Sequence, residues 1–159
     1  MGIELCALMF ENLLVYKTEG KKESWQEGIY YLDDIALSKD VYRNGPLFFS
    51  YKGNDTDQTL GEFTYYLPIS SPVEVTEDSD FTFQKDFKLD RALLLRQADE
   101  KLDINIAFAE VQAFSNENNL EIEDYFYCIL LNVYGEYIVD LYAPLKSQGD
   151  EEWSSKIIK

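Results

Sequence analysis

The side chains suited to chemistry in this chain collect in two short stretches. Residues 135–145 read Gly-Glu-Tyr-Ile-Val-Asp-Leu-Tyr-Ala-Pro-Leu, and residues 61–69 read Gly-Glu-Phe-Thr-Tyr-Tyr-Leu-Pro-Ile. Both open on Gly-Glu and both close on Tyr-x-Pro before Leu or Ile. Read as strands, their side chains alternate between two faces. In the later stretch Tyr137, Val139, Leu141, Ala143 and Leu145 make an apolar face, and Glu136, Ile138, Asp140 and Tyr142 make the other. In the earlier stretch Glu62, Thr64 and Tyr66 share one parity. Carboxylates framed by aromatic rings suit a flat organic cation, held by ion pairing and cation–π attraction. The candidate ligand residues are therefore Asp140, Glu136, Tyr142, Glu62 and Tyr66. Asp140 stands apart from the rest, because Val139 and Leu141 on either side mark a central strand. The competing reading is that all of these are solvent-side residues of a half-exposed antiparallel sheet.

Catalysis has little to work with. The chain contains no histidine, so Ser-His-Asp and Cys-His mechanisms cannot be assembled within it. A carboxylate of raised pKa is the general base left to consider, and no second motif supports one. The expectation is a protein that is not an enzyme, with no cofactor and no metal. An acidic run, Glu74, Glu77, Asp78 and Asp80, lacks the glycine and the twelfth-position Glu of an EF-hand loop and reads as solvated charge. Cys6 and Cys128 lie far apart in apolar surroundings. They read as buried free thiols of a reduced, cytoplasmic protein rather than a disulfide.

The formal net charge of −16 repels phosphate backbones and anionic membrane surfaces, which argues against nucleic-acid and membrane partners. It fits a basic protein, a cationic ligand, or solubility alone. The apolar runs fall far short of the roughly 20 residues of a membrane span. The start lacks a basic segment followed by a long apolar run, and Cys6 stands where a myristoylation signal needs Ser or Thr.

The elements that must position these residues follow from periodicity. A chain of 159 residues, 46% of them hydrophobic, suits one domain with a sizeable core. Residues 5–17 read as a strand bulged or broken at Glu11-Asn12. Trp25, Gly28/Ile29, Leu32 and Ile35/Ala36 recur at helical spacing over about 24–38, with Ser24 as the N-cap and Gly28 marking close packing on a sheet. After the turn at Asn44-Gly45-Pro46 come a short aromatic strand at 47–51, a polar connection at 53–58 and a strand at 59–69 ended by Pro68. A loop at 70–80 leads to 81–96, alternating at first and denser after Arg91. Asp103 would cap a helix with Ile104, Ala107/Phe108, Val111 and Phe114 as its stripe, ending near Asn118-Asn119. Residues 124–133 form an apolar strand that turns at Tyr134-Gly135 into 135–145. The order strand–helix–strand–strand thus occurs twice, over about 5–69 and 81–145. Residues 1–145 are expected to form one α+β domain: an antiparallel sheet with both helices on one face and the other face left for a cleft. Residues 146–159 form a polar tail. Exposed aromatics suited to a protein contact are Tyr30, Tyr31, Tyr42 and Trp153.

On these residues the chain resembles the gyrase-inhibitor-like, small-molecule-binding superfamily of effector-binding domains, whose closing strand carries an acidic residue shortly before aromatic-x-Pro. Residues 139–145, Val-Asp-Leu-Tyr-Ala-Pro-Leu, fit that pattern with Asp140 in place of the more usual Glu. Asn44-Gly45-Pro46-Leu47-Phe48-Phe49-Ser50, with Glu62-Phe63-Thr64-Tyr65-Tyr66-Leu67-Pro68-Ile69, is similar to an uncharacterised Gram-positive family encoded beside LXG toxins of type VII secretion. The first resemblance implies a small-molecule cleft and, in some members, hydrolysis. The second implies an association with toxin export and no mechanism; with the strong negative charge, the first expectation is a cytoplasmic accessory protein that binds a toxin-locus protein as chaperone, adaptor or immunity factor.

Overall fold

The computed structural model describes residues 3–21, 24–39, 41–54, 56, 59–76, 79–96 and 104–146, with the side chains of residues 132, 133, 136 and 137 left aside. Its elements are β1 (Ile3–Lys21), α1 (Gln26–Ser38), β2 (Phe48–Gly53), β3 (Leu60–Pro68), β4 (Phe81–Leu95), α2 (Ile104–Glu117), β5 (Tyr125–Val133) and β6 (Glu136–Pro144). Strand–helix–strand–strand occurs twice, as the alternating and helical periodicities predict, and every strand pair is antiparallel. The sheet also closes on itself, in the order β1-β3-β2-β5-β6-β4 and back to β1.

Closure depends on β1. Its first half pairs with β4, its second half with β3, and Leu13 to Tyr16 pair with both. The break expected at Glu11-Asn12 takes a specific form. The strand runs on without interruption, but Asn12 adopts φ 56°, a left-handed conformation that Asn tolerates better than most residues. Its carbonyl accepts the Ile69 amide at 2.7 Å, which ties the end of β3 to the kink. Side chains facing away from the helices switch there from even positions (Leu8, Phe10) to odd ones (Leu13, Val15). A second irregularity lies in β4, where Asp90 and Arg91 together stand opposite Ala7. This bulge also reverses parity. Leu89 faces away from the helices, whereas Leu93 and Leu95 face them.

Both helices pack on one face. The buried stripe of α1 is Gly28, Ile29, Leu32, Ile35 and Ala36, as its spacing predicts, and that of α2 is Ala107, Val111 and Ser115. Ser24 is not the N-cap: the helix starts after Trp25, with no side-chain cap, and Ser24 lies in a preceding 3₁₀ turn. Asp103, the proposed cap of α2, lies outside the described residues. The end of α2 matches expectation, with Asn119 left-handed at φ 56° and the Asn118 side chain donating to the Phe114 carbonyl at 2.8 Å. The turn at Tyr134-Gly135 has positive φ at both residues, the twist that a tight hairpin needs.

Gly28 is where α1 touches the sheet most closely. A Cβ there would overlap the ring of Tyr65. That ring has nowhere to go: Tyr65 is 1% exposed, and its hydroxyl donates to the Trp25 carbonyl at 2.7 Å. Gly28→Ala should therefore destabilise the protein by about 1–3 kcal/mol, despite the better helix propensity of Ala. Chemical denaturation of the two proteins checks this, and equal midpoints would show that the helix can lift away from Tyr65.

Candidate functional site

The face opposite the helices is built from rings. Alternation along β2 puts Phe49 and Tyr51 toward the helices and Phe48 away from them. Phe48 is fully buried and stacks between Phe10, at 4.8 Å and 26°, and Tyr66, at 4.7 Å and 11°. Phe87 meets it edge-on at 5.0 Å and Tyr127 at 6.3 Å. Leu13, Val15 and Ile129 complete the floor, while Phe10, Tyr66, Tyr127 and Tyr142 are half-buried around it. Where an open cleft was expected, aromatic side chains thus fill this face, the buried ones as the floor and the half-buried ones as the rim of what we term a bowl. Such stacked and edge-to-face pairs add about 0.5–1.5 kcal/mol each beyond the area they bury.

Asp140 sits at one end of the bowl. It lies opposite Ile129 on β5 and is 6% exposed. Two residues on, Tyr142 pairs with Tyr127. Across from Asp140, Arg96 places Nη1 3.9 Å from its Oδ2, and the same guanidinium donates to Glu4 at 3.0 and 3.2 Å. Cys6 belongs to this group and is half-buried, whereas Cys128 is fully buried on the helix face; both are free thiols.

Of the five residues singled out from sequence, the structure brings Asp140, Tyr142 and Tyr66 to one bowl. Glu62 is exposed at the far end of β3, four residues and about 13 Å from Tyr66. The side chain of Glu136 lies outside the described residues. The Gly-Glu echo is also out of register. Counted back from Tyr-x-Pro, Tyr66 matches Tyr142 and Thr64 matches Asp140, so Glu62 falls level with Ile138. Among the described side chains of these two strands, the face therefore receives one buried carboxylate, Asp140 at its end, where the echo suggested a pair. Sequence reasoning missed Phe10, Phe48, Phe87 and Tyr127 as bowl residues, and Glu4 and Arg96 as neighbours of Asp140. Strand parity carried a signal for Phe48 and Tyr127, but the strand pairing that unites them is tertiary. Tyr31 is not a free aromatic: it packs on Tyr16 at 4.4 Å and donates to Asp80 at 3.0 Å. Trp153, Glu77 and Asp78 lie outside the described residues, among which no cluster of metal-binding side chains occurs.

Burial is the main cause that holds the hydroxyls of Tyr66, Tyr127 and Tyr142 in their neutral form and raises all three above the usual tyrosine range. The neighbouring Tyr66 makes the Tyr127 proton harder still to remove, since two phenolates side by side would repel. Because the folded values are raised, the unfolded chain loses these protons first. Their contribution to stability is complete below the ordinary tyrosine pKa of about 10 and is lost as pH rises through the folded values. Melting temperatures measured from about pH 9 upward should fall, and Tyr127→Phe should flatten the fall. An identical pH profile for the variant would remove the desolvated Tyr66–Tyr127 pair as its cause.

A six-stranded antiparallel sheet carrying two helices on one face is the gyrase-inhibitor-like fold. The chain is similar in structure to the EcmrR C-terminal domain, with TM-score 0.63, 8% identity, and 92% of this chain and 99% of that one covered. It is also similar to SAV2435, whose structure was solved bound to tetraphenylphosphonium, with TM-score 0.54, 12% identity, and 96% and 97% covered. A hydrolase from Listeria innocua aligns with TM-score 0.54 at 14% identity, covering 90% and 92%. No curated protein sequence matches the chain. A family model described as a domain of unknown function (DUF5085) matches residues 9–147, and the chain belongs to that family.

Proposed function

We propose that this protein is a non-enzymatic binding module whose bowl takes a lipophilic organic cation. Asp140 supplies the counter-charge, and Tyr66, Tyr127 and Tyr142 supply the ring walls. The observation that carries the reading is a carboxylate almost wholly buried at the rim of a ring-floored surface. A buried carboxylate attracts a cation more strongly than an exposed one, because water screens it less, and half-buried rings add cation–π attraction. SAV2435, which shares the fold, binds an ion of this class. Glu62 contributes only to the long-range field from its exposed position, and Glu136 is retained on its sequence pattern alone. Titration with tetraphenylphosphonium by calorimetry tests the proposal. Asp140→Asn should weaken binding about tenfold, or about 1.4 kcal/mol, with little change in thermal stability. Unchanged affinity would remove Asp140 from the site.

A second reading follows from the resemblance to proteins of type VII secretion loci: a cytoplasmic accessory protein bound to a basic toxin-locus partner. The net charge of −16 favours it, since complementary fields speed and orient association. So do the exposed Tyr30 and Leu37, seven residues apart and hence on one outward face of α1, with exposed Tyr42 beyond them. No described helix is long and apolar enough to cross a membrane. Co-purification with the products of an LXG locus should recover one of them, and Tyr30→Ala with Leu37→Ala should lose it. Recovery of none would exclude this role.

A further inference from the structure

Arg96 follows directly on β4, the strand between β1 and β6 in the closed sheet. Leu95 pairs with Leu141, so one step along the same register Arg96 faces Asp140. On the other side Glu4 pairs with Leu94, two residues before Arg96 and therefore on the same face. The guanidinium thus spans from β1 to β6, but its two contacts are unequal. Nη2 and Nε both donate to Oε1 of Glu4, at 3.0 and 3.2 Å. Nη1 stands 3.9 Å from Asp140, beyond hydrogen-bond reach, so attraction there is purely between charges. The Arg96 and Glu4 side chains are 59% and 53% exposed, whereas that of Asp140 is 8% exposed. An accessible cation is held by an accessible carboxylate and only leans on the buried one.

We propose that Arg96 is an internal competitor for the cation site, and that Glu4 sets how strongly it competes. This rests on the cation-binding reading of the bowl. Arg96 partly neutralises Asp140, and an incoming cation must take over that role. Glu4 keeps the guanidinium available to be moved aside. The arrangement selects among cations. A ligand that brings only charge gains little over the arginine already there, whereas one that brings rings also gains the apolar and cation–π energy of the bowl. Arg96 is in this sense a specificity-determining residue that need not touch the ligand.

The test uses the full chain, with tetraphenylphosphonium and tetramethylammonium as probes in calorimetry at low salt. Wild type should bind the first and discriminate strongly against the second. Arg96→Gln should tighten tetraphenylphosphonium about three- to fivefold, a change in line with exposed ion pairs, and should narrow the discrimination. Arg96→Lys, which keeps the charge, should stay near wild type. Glu4→Gln should weaken binding, because the released guanidinium then settles on Asp140. In the Arg96→Gln background the same Glu4 substitution should have little effect, which separates action through Arg96 from a direct loss of negative field. If wild type binds and Asp140→Asn weakens binding, but Arg96→Gln leaves it equal or weaker, the competitor role is overturned and the binding reading stands. A Glu4 effect of the same size in both backgrounds would overturn the part assigned to Glu4. If neither wild type nor Arg96→Gln binds the phosphonium, the cation-binding reading falls, and this inference with it.

Discussion

One strand has to serve two edges, and the rest of the architecture follows from that. β1 is 19 residues long and pairs with β3 along one side and β4 along the other. A regular strand of that length would keep one set of side chains on one face throughout. The left-handed Asn12 and the bulge at Asp90-Arg91 break that regularity, and each shifts parity once. Together they allow the sheet to bend closed while apolar residues stay on both faces. The bulge also fixes which face Arg96 takes. Without its extra residue, Leu94 and Arg96 would face the helices, and Asp140 would have no guanidinium beside it.

The two faces divide their tasks. The helix face holds the larger cluster, in which Tyr65, locked between Gly28 and the Trp25 carbonyl, joins α1 to β3. The opposite face holds a smaller cluster around Phe48, incomplete at its rim, where four rings remain half-buried. Apolar surface left partly in contact with water is poorly used for stability and available for binding. Among the described residues, Asp140 is the one buried carboxylate of that surface. Its counterpart at the matching position of the other closing strand is Thr64, so the charge of the bowl is one-sided although the two strand–helix–strand–strand units share a topology.

Much of this was legible in the chain itself. Helical spacing located the buried stripe of α1 and, in α2, Ala107 and Val111 but not Ser115; alternation assigned the faces of β3 and β6, and Gly28 announced a close helix–sheet contact. Local chemistry failed at Ser24, since a residue that favours a cap does not create one. It failed again in the echo of Gly-Glu, because repetition of letters ignores register. Glu62 and Asp140 look alike in sequence, yet one lies in water at a strand end and the other beneath its neighbours.

The sequence by itself determined element types, their order, the apolar faces and the absence of histidine-based chemistry, because these depend on periodicity and composition within short windows. Tertiary structure decided which side chains meet. Phe10, Phe48, Phe87 and Tyr127 come from four different strands, and Glu4, Arg96 and Asp140 from three segments far apart in the chain. Their convergence depends on strand register, one left-handed residue and one bulge, and a one-residue slip in any of these would send the same side chains to the opposite face.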